Sequence, residues 1–189
     1  MPDAGTLGAF VAFIVRDEAG DIIGVDRYGP PGSAARAHAE EHGLPKLLAV
    51  SGSTRSLWPA AESIPPATVL DGYLLVGEGA PCAATLLGVG AAAISYPMAG
   101  SFWSEWARRL HRAGYRRALV LADADAPGRR GAQVAAVALR DAGVRARAID
   151  LFPSRGDGFD VADELRNYES DDARERLLEL LLPFVEEDA

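Results

Sequence analysis

The chain has 189 residues, enough for one compact domain or one domain with a small appendage. Its 49% hydrophobic and 24% charged content is that of a globular protein and excludes disorder and low complexity. The net charge of -8 is segregated: residues 160–189 carry 11 Asp/Glu against 3 Arg, whereas the first 159 carry 16 acids and 16 bases, so most of the surface stays available to phosphates.

The N-terminus has an early Asp3 and no basic leader, which does not read as a secretory signal. No apolar run approaches the roughly 20 residues of a membrane-spanning helix. A soluble, cytoplasmic protein with no membrane partner is the expectation. Residues 10–16 (FVAFIVR) and 21–27 (DIIGVDR) are β-rich runs around a Gly-containing turn, which predicts a hairpin. Residues 33–42 form a short helix opened by Ser33 and stopped by Gly43, and Leu47–Val50 is a further apolar run. Three prolines make 51–66 a connector.

From Thr68 the pattern alternates strand and helix. Strands are expected at Val69–Val76, Ala91–Ser95, Arg117–Ala122 and Val144–Leu151, with helices at 81–88, 102–113 (capped by Ser101) and 128–142. Four such alternations imply a parallel sheet covered by helices on both faces. Residues 172–186 read as a last amphipathic helix, with Leu177, Leu178, Leu181 and Leu182 on its apolar side. The organisation expected is a small α+β subdomain and connector over 1–66, an α/β domain over 67–168, and an acidic helix or tail over 169–189.

In parallel sheets the functional groups gather where loops leave the carboxyl ends of the strands. Glu78 stands there between Gly77 and Gly79, and Asp123-Ala124-Asp125 follows another apolar strand. Carboxylates held close together repel unless a cation sits among them. Magnesium, a hard ion that shares oxygen ligands with phosphates, suits that arrangement, and manganese can replace it. Either motif taken singly also reads as turn or helix-cap chemistry; it is their joint placement that points to a metal centre at Glu78, Asp123 and Asp125. Arg129 and Arg130, opening the helix after Asp125, are placed to hold a triphosphate or a nucleic-acid backbone. Arg108, Arg109 and Arg112 share a helix face that can meet phosphates or simply lie in solvent. Trp103 and Trp106 read as core residues before they read as base-stacking ones. Cys82, the single cysteine, excludes a disulfide or multi-cysteine zinc site and reads as a packed apolar residue.

The runs Leu74-Leu75-Val76-Gly77-Glu78-Gly79, Ala92 to Gly100 (with Ser95-Tyr96-Pro97-Met98-Ala99-Gly100) and Leu121 to Ala132 resemble the Toprim domain, a Rossmann-like α/β fold shared by bacterial-type primases, topoisomerases, an RNA maturase and certain nucleases. The resemblance covers 68–168 and is greatest to primases of phage and bacterial type, suggesting a phage or mobile-element source. It implies that Glu78, Asp123 and Asp125 form the catalytic divalent-metal centre. The downstream Asp160-Val161-Ala162-Asp163 matches the family's third acidic element, which implies metal support from Asp160 and Asp163; helix capping is the equal alternative for that pair. Cys82 stands where many primases carry an Asp, and Phe159 where a Lys is common.

Phe13 to Gly24 is similar to the entry strands of the primase catalytic core, which implies a template path lined by Arg16, Arg27, Lys46 and Arg55. The resemblance as a whole implies a DNA primase: metal-dependent nucleotidyl transfer that makes primers from nucleoside triphosphates on single-stranded DNA, with a helicase or zinc-ribbon subunit as partner. A Toprim nuclease using water on the same acidic centre and a non-catalytic nucleic-acid-binding module are the alternatives.

Overall fold

A computed structural model describes residues 4–7, 10–98 and 100–186. Asp3, Ala99 and the last three residues of the acidic tail lie outside these. The strands of the described residues form two sheets. The first is antiparallel, in the order β1 (Ala4–Leu7), β2 (Phe10–Arg16), β3 (Ile22–Tyr28), β4 (Leu47–Ala49), with helix α1 (Ala34–Glu41) between β3 and β4. The expected hairpin is β2–β3, closed by Asp17, whose carboxylate accepts the backbone N–H groups of Ala19 and Asp21. Ser33 caps α1 by accepting the N–H of Arg36, as its position before the helix demands.

The second sheet is wholly parallel, in the order β6 (Ala93–Tyr96), β5 (Leu74–Glu78), β7 (Arg117–Leu121), β8 (Arg145–Ile149). Its helices are α2 (Ala80–Gly88), α3 (Ser104–Arg112), α4 (Ala126–Asp141), α5 (Val161–Leu165) and α6 (Ser170–Glu186). The architecture is the expected α/β sheet preceded by a small α+β unit. Strand alternation sorts the core into two layers. Leu74, Val76, Ile94, Ala118 and Val120 pack on Trp106 and Leu110 of α3 and on Ala132, Ala135 and Leu139 of α4. The intervening Leu75, Ala93, Leu119, Leu121 and Ile149 pack on Cys82 and Leu86 of α2, on α5, and on Ala173, Leu177 and Leu181 of α6. The acidic C-terminal segment is therefore anchored in the core through one stripe of α6, while Leu182 on its other side is exposed.

Some boundaries differ from the sequence reading. The first parallel strand begins at Leu74, because Leu70 to Tyr73 makes a turn and Val69 contributes only a single bridge to Ala91. Helix α3 begins at Ser104 with Trp103 at its N-cap, so Ser101 is not the cap; its hydroxyl closes a turn on the Met98 carbonyl instead. The delay buries Phe102, whose ring meets Tyr96 and Trp106 edge-on at 5.6 and 6.0 Å. Strand β1 had no counterpart in the sequence reading.

The sheets are joined by contacts of different kinds. Phe13, Trp58, Ala80, Ala83 and Ala84 form a shared apolar cluster in which α2 abuts the antiparallel sheet. Trp58 and Ser95 exchange backbone hydrogen bonds (3.0 and 2.7 Å), and the buried Ser95 hydroxyl donates to the Trp58 carbonyl. Arg109, buried on α3, pairs with Glu62 in the connector at 2.6 Å and donates to the Asp17 carbonyl in the hairpin turn. Arg108 and Arg112 pair with Glu105, and Arg112 also with Glu18, so this basic group is neutralised within the protein.

Because Leu177 is fully buried between α6 and the parallel sheet, Leu177→Ala should cost about 2–5 kcal/mol of unfolding free energy in urea denaturation. A cost near zero would mean that α6 is not part of the cooperative fold.

Candidate metal centre and cleft

The carboxyl ends of β5 and β7 open into a cleft of about 290 Å³ shared by the two sheets. Its acidic wall holds Glu78, Asp123, Asp160 and Asp163; the opposite wall, from the antiparallel sheet, α1 and the connector, holds Asp26, Tyr28, Arg36, Lys46 and Arg55.

Local packing explains why each acidic residue sits in a glycine-rich motif. A Cβ on Gly77 would lie 2.6 Å from Cys82 Sγ, so the thiol fills the space that the glycine leaves beside the strand end. Burial, with Asp160 and Asp123 nearby, pushes the Cys82 thiol well above its ordinary value, which keeps it neutral and a packing residue. Asp125 caps α4, its Oδ1 accepting the Gly128 N–H at 2.7 Å. A Cβ on Gly128 would come within 2.7 Å of Asp123 Cβ and 2.8 Å of its carbonyl oxygen, so the helix can start against Asp123 only with glycine there. The spacing Asp-x-Asp-x-x-Gly is thus a strand-to-helix turn in which one Asp caps and the other faces the cleft.

Asp160 and Asp163 form a reciprocal capping box at α5: Asp160 Oδ1 accepts the Asp163 N–H at 2.7 Å and Asp163 Oδ2 accepts the Asp160 N–H at 3.3 Å. Asp163 also pairs with Arg166 at 2.9 Å. Both residues nonetheless line the cleft, so capping and a place at the acidic wall coexist in the same side chains.

Electrostatics single out Asp123. Burial, followed by the nearby carboxylates of Asp160 and Glu78, pushes its carboxyl up to about 8, with the Lys46 ammonium pulling the other way and Asp125 adding to the rise. Burial raises Asp160 as well, and Lys46 again opposes it. Among the described residues no group donates a hydrogen bond to the Asp123 carboxylate. A partly buried, mutually repelling set of hard oxygen donors is what a divalent cation such as Mg²⁺ or Mn²⁺ would stabilise, so the donor chemistry fits. The fit is loose in distance: among the described residues, no three of these carboxylates bring ligand atoms within 4.8 Å of one another, and a dication would draw them closer.

The basic residues anticipated from sequence divide. Lys46 and Arg55 line the cleft. Arg27 lies on the strand face opposite Asp26 and Tyr28, with its guanidinium 5.3 Å from the Phe10 ring. Arg16 donates to the Gly20 carbonyl at 2.7 Å in the hairpin turn. Arg129 pairs with Asp150 at 2.7 Å and donates to the carbonyls of Phe152 and Arg155, so it holds the loop after β8. Arg130 is exposed on α4 outside the cleft. Trp106 is buried, and Trp103 stacks on it at 4.8 Å with its other face in solvent. The sequence reading missed Arg36, Asp26 and Tyr28. Arg36 carried a signal in its place just inside the Ser33-capped helix, but nothing local to it announces that α1 leans over the cleft.

No protein-family model and no curated protein matches this chain by sequence. Solved structures do match. A DNA primase domain from Pseudomonas aeruginosa aligns at TM-score 0.60 and 21% identity over 90% of this chain and 51% of that one. The Aquifex aeolicus primase, comprising zinc-binding and RNA polymerase domains, aligns at 0.60 and 17% over 96% and 44%. The E. coli primase catalytic core aligns at 0.57 and 22% over 93% and 56%. The fold is that of a bacterial primase catalytic core. This chain spans about half the length of those structures. The primase-core fold includes the antiparallel module as well as the Toprim-like sheet, since the alignments cover nine-tenths of the chain or more.

Asp123 makes a testable demand. The unfolded chain ionises this carboxyl near 3.8, whereas the folded chain keeps its proton up to about 8. The folded state binds more protons across that interval, so its contribution to stability is lost as pH rises through it. In chelator well above pH 8, Asp123→Asn should be more stable than the parent chain by up to about 5 kcal/mol, with the difference closing near pH 3.8. Equal melting curves at both ends would show that Asp123 is not under this strain.

Proposed function

We propose that the chain is the catalytic core of a primase-type nucleotidyltransferase, which joins nucleoside triphosphates on a single-stranded DNA template with Mg²⁺ or Mn²⁺. The observation that carries this reading is the two-sided cleft: carboxylates at the strand ends on one wall, with Lys46, Arg36 and Arg55 on the other. The fold shared with primase cores supports it.

In this reading Glu78 and Asp123 hold the metal, with Asp125 behind them and support from Asp160 and Asp163. When bound, the ion neutralises triphosphate charge and lowers the pKa of the attacking hydroxyl. Lys46, the cation set against Asp123 and Asp160, binds the phosphates entering between the walls. Arg36 and Arg55 extend that positive side, and the buried Asp26, whose carboxyl burial raises and Arg55 lowers, orients Arg55. The bond formed joins a 3′-hydroxyl oxygen to the α-phosphorus, the bond broken releases pyrophosphate, and the hydroxyl proton leaves to solvent. Exposed Arg130 contacts the strand backbone outside the cleft. A helicase or zinc-ribbon partner supplies template selection.

The test is primer synthesis from labelled triphosphates on single-stranded DNA with Mg²⁺ or Mn²⁺. Short labelled products are expected, reduced at least about 100-fold in Asp123→Asn and in Glu78→Gln. Lys46→Ala should raise the triphosphate KM about tenfold, the equivalent of about 1.4 kcal/mol. Shortening of the input strand instead of new product would assign a nuclease, and salt-sensitive binding with neither outcome would assign a binding module.

A further inference from the structure

We propose that the C-terminal turn of α1 is a transition-metal site, with His38, Glu41 and His42 as ligands for Zn²⁺ or an ion of similar preference such as Co²⁺. It is separate from the acidic cleft and does not depend on the reaction assigned there. The three residues stand at i, i+3 and i+4, which places them on one helix face. One ligand atom from each lies within 4.8 Å of the others, and the two imidazole centroids are 4.2 Å apart.

The state of His42 favours coordination. Its Nδ1 lies 3.0 Å from the His38 carbonyl oxygen, which can only accept, so Nδ1 carries the proton. In the neutral ring the lone pair is then on Nε2, and donation of the other ring N–H to a backbone carbonyl is the arrangement that orients metal-bound histidines. The neighbouring Glu40 is engaged by Arg36 at 3.2 Å, whereas among the described residues Glu41 pairs with no Arg or Lys and lies beside His42.

Position helps too. Glu41 is the last residue of α1 and His42 its C-cap, so the partial negative charge of the final carbonyls favours a cation there. All three side chains are exposed, so their χ angles are free to turn toward the roughly 2.0–2.2 Å distances that zinc requires. Two imidazoles and one carboxylate prefer zinc, cobalt, nickel or copper to magnesium, the reverse of an all-carboxylate wall. Three protein ligands leave a position for water or a phosphate oxygen. The bound ion would staple the end of the helix whose first turns carry Ser33 and the cleft residue Arg36.

The test is titration of the full chain with Co²⁺, read by visible absorption, and with Zn²⁺, read by calorimetry, both in excess Mg²⁺. One equivalent should bind, and Zn²⁺ should shift the NMR resonances of two imidazoles. His38→Ala and His42→Ala should each weaken binding about tenfold or more, while Asp123→Asn leaves it unchanged. Alanine is the better helix former at these exposed positions, so the variants keep their fold. Absence of stoichiometric binding in Mg²⁺, binding that survives both histidine substitutions, or binding lost in Asp123→Asn would each overturn the proposal.

Discussion

The organising constraint is the confinement of like charges. Parallel strands β5 and β7 end side by side, and the loops that leave them deliver Glu78 and Asp123 to one place, where the capping box of α5 adds Asp160 and Asp163. Water cannot fully solvate Asp123, and Asp160 and Glu78 repel its charge, so it holds its proton to about 8. The protein sets Lys46 against this cluster from a different sheet, which reduces the repulsion of Asp123 and Asp160. Such an arrangement costs folding free energy, and a cation entering the cleft would recover it.

That Lys46 can act from the other sheet depends on the junction. Ser95 sits in the parallel strand just before the Pro97 turn and clamps Trp58 of the connector through hydrogen bonds in both directions. Phe13 meets Trp58 edge-on at 4.8 Å and the pair packs on α2, the helix that starts immediately after Glu78. The Arg109–Glu62 pair, with its bond to Asp17, ties the far side. The spacing of the cleft walls is therefore set by apolar packing, a backbone bridge and a part-buried ion pair, and not by the charged residues that face each other.

The same economy appears in the acidic motifs, where side chains that serve the cleft also build the backbone. Asp125 caps α4 and Asp160 caps α5, and the close approach of Gly128 to Asp123 leaves no room for a side chain. This explains why capping and metal support were equally readable for Asp160 and Asp163.

Periodicity alone determined most of the parallel sheet, because buried strands and their covering helices are continuous in sequence and bounded by Gly, Pro and caps. It also located the acidic residues, which are local to strand ends. Only the tertiary structure decided which charges meet. Arg129 was well placed in sequence yet is drawn to Asp150 on the neighbouring strand's loop, and Arg27 is turned from the cleft by strand alternation. Arg36 and Asp26 join the cleft because two sheets dock, as does the meeting of Lys46 with Asp123 across 77 positions of chain. Local rules act over a few residues, whereas a partner for a charge is chosen by packing between elements far apart along the polypeptide.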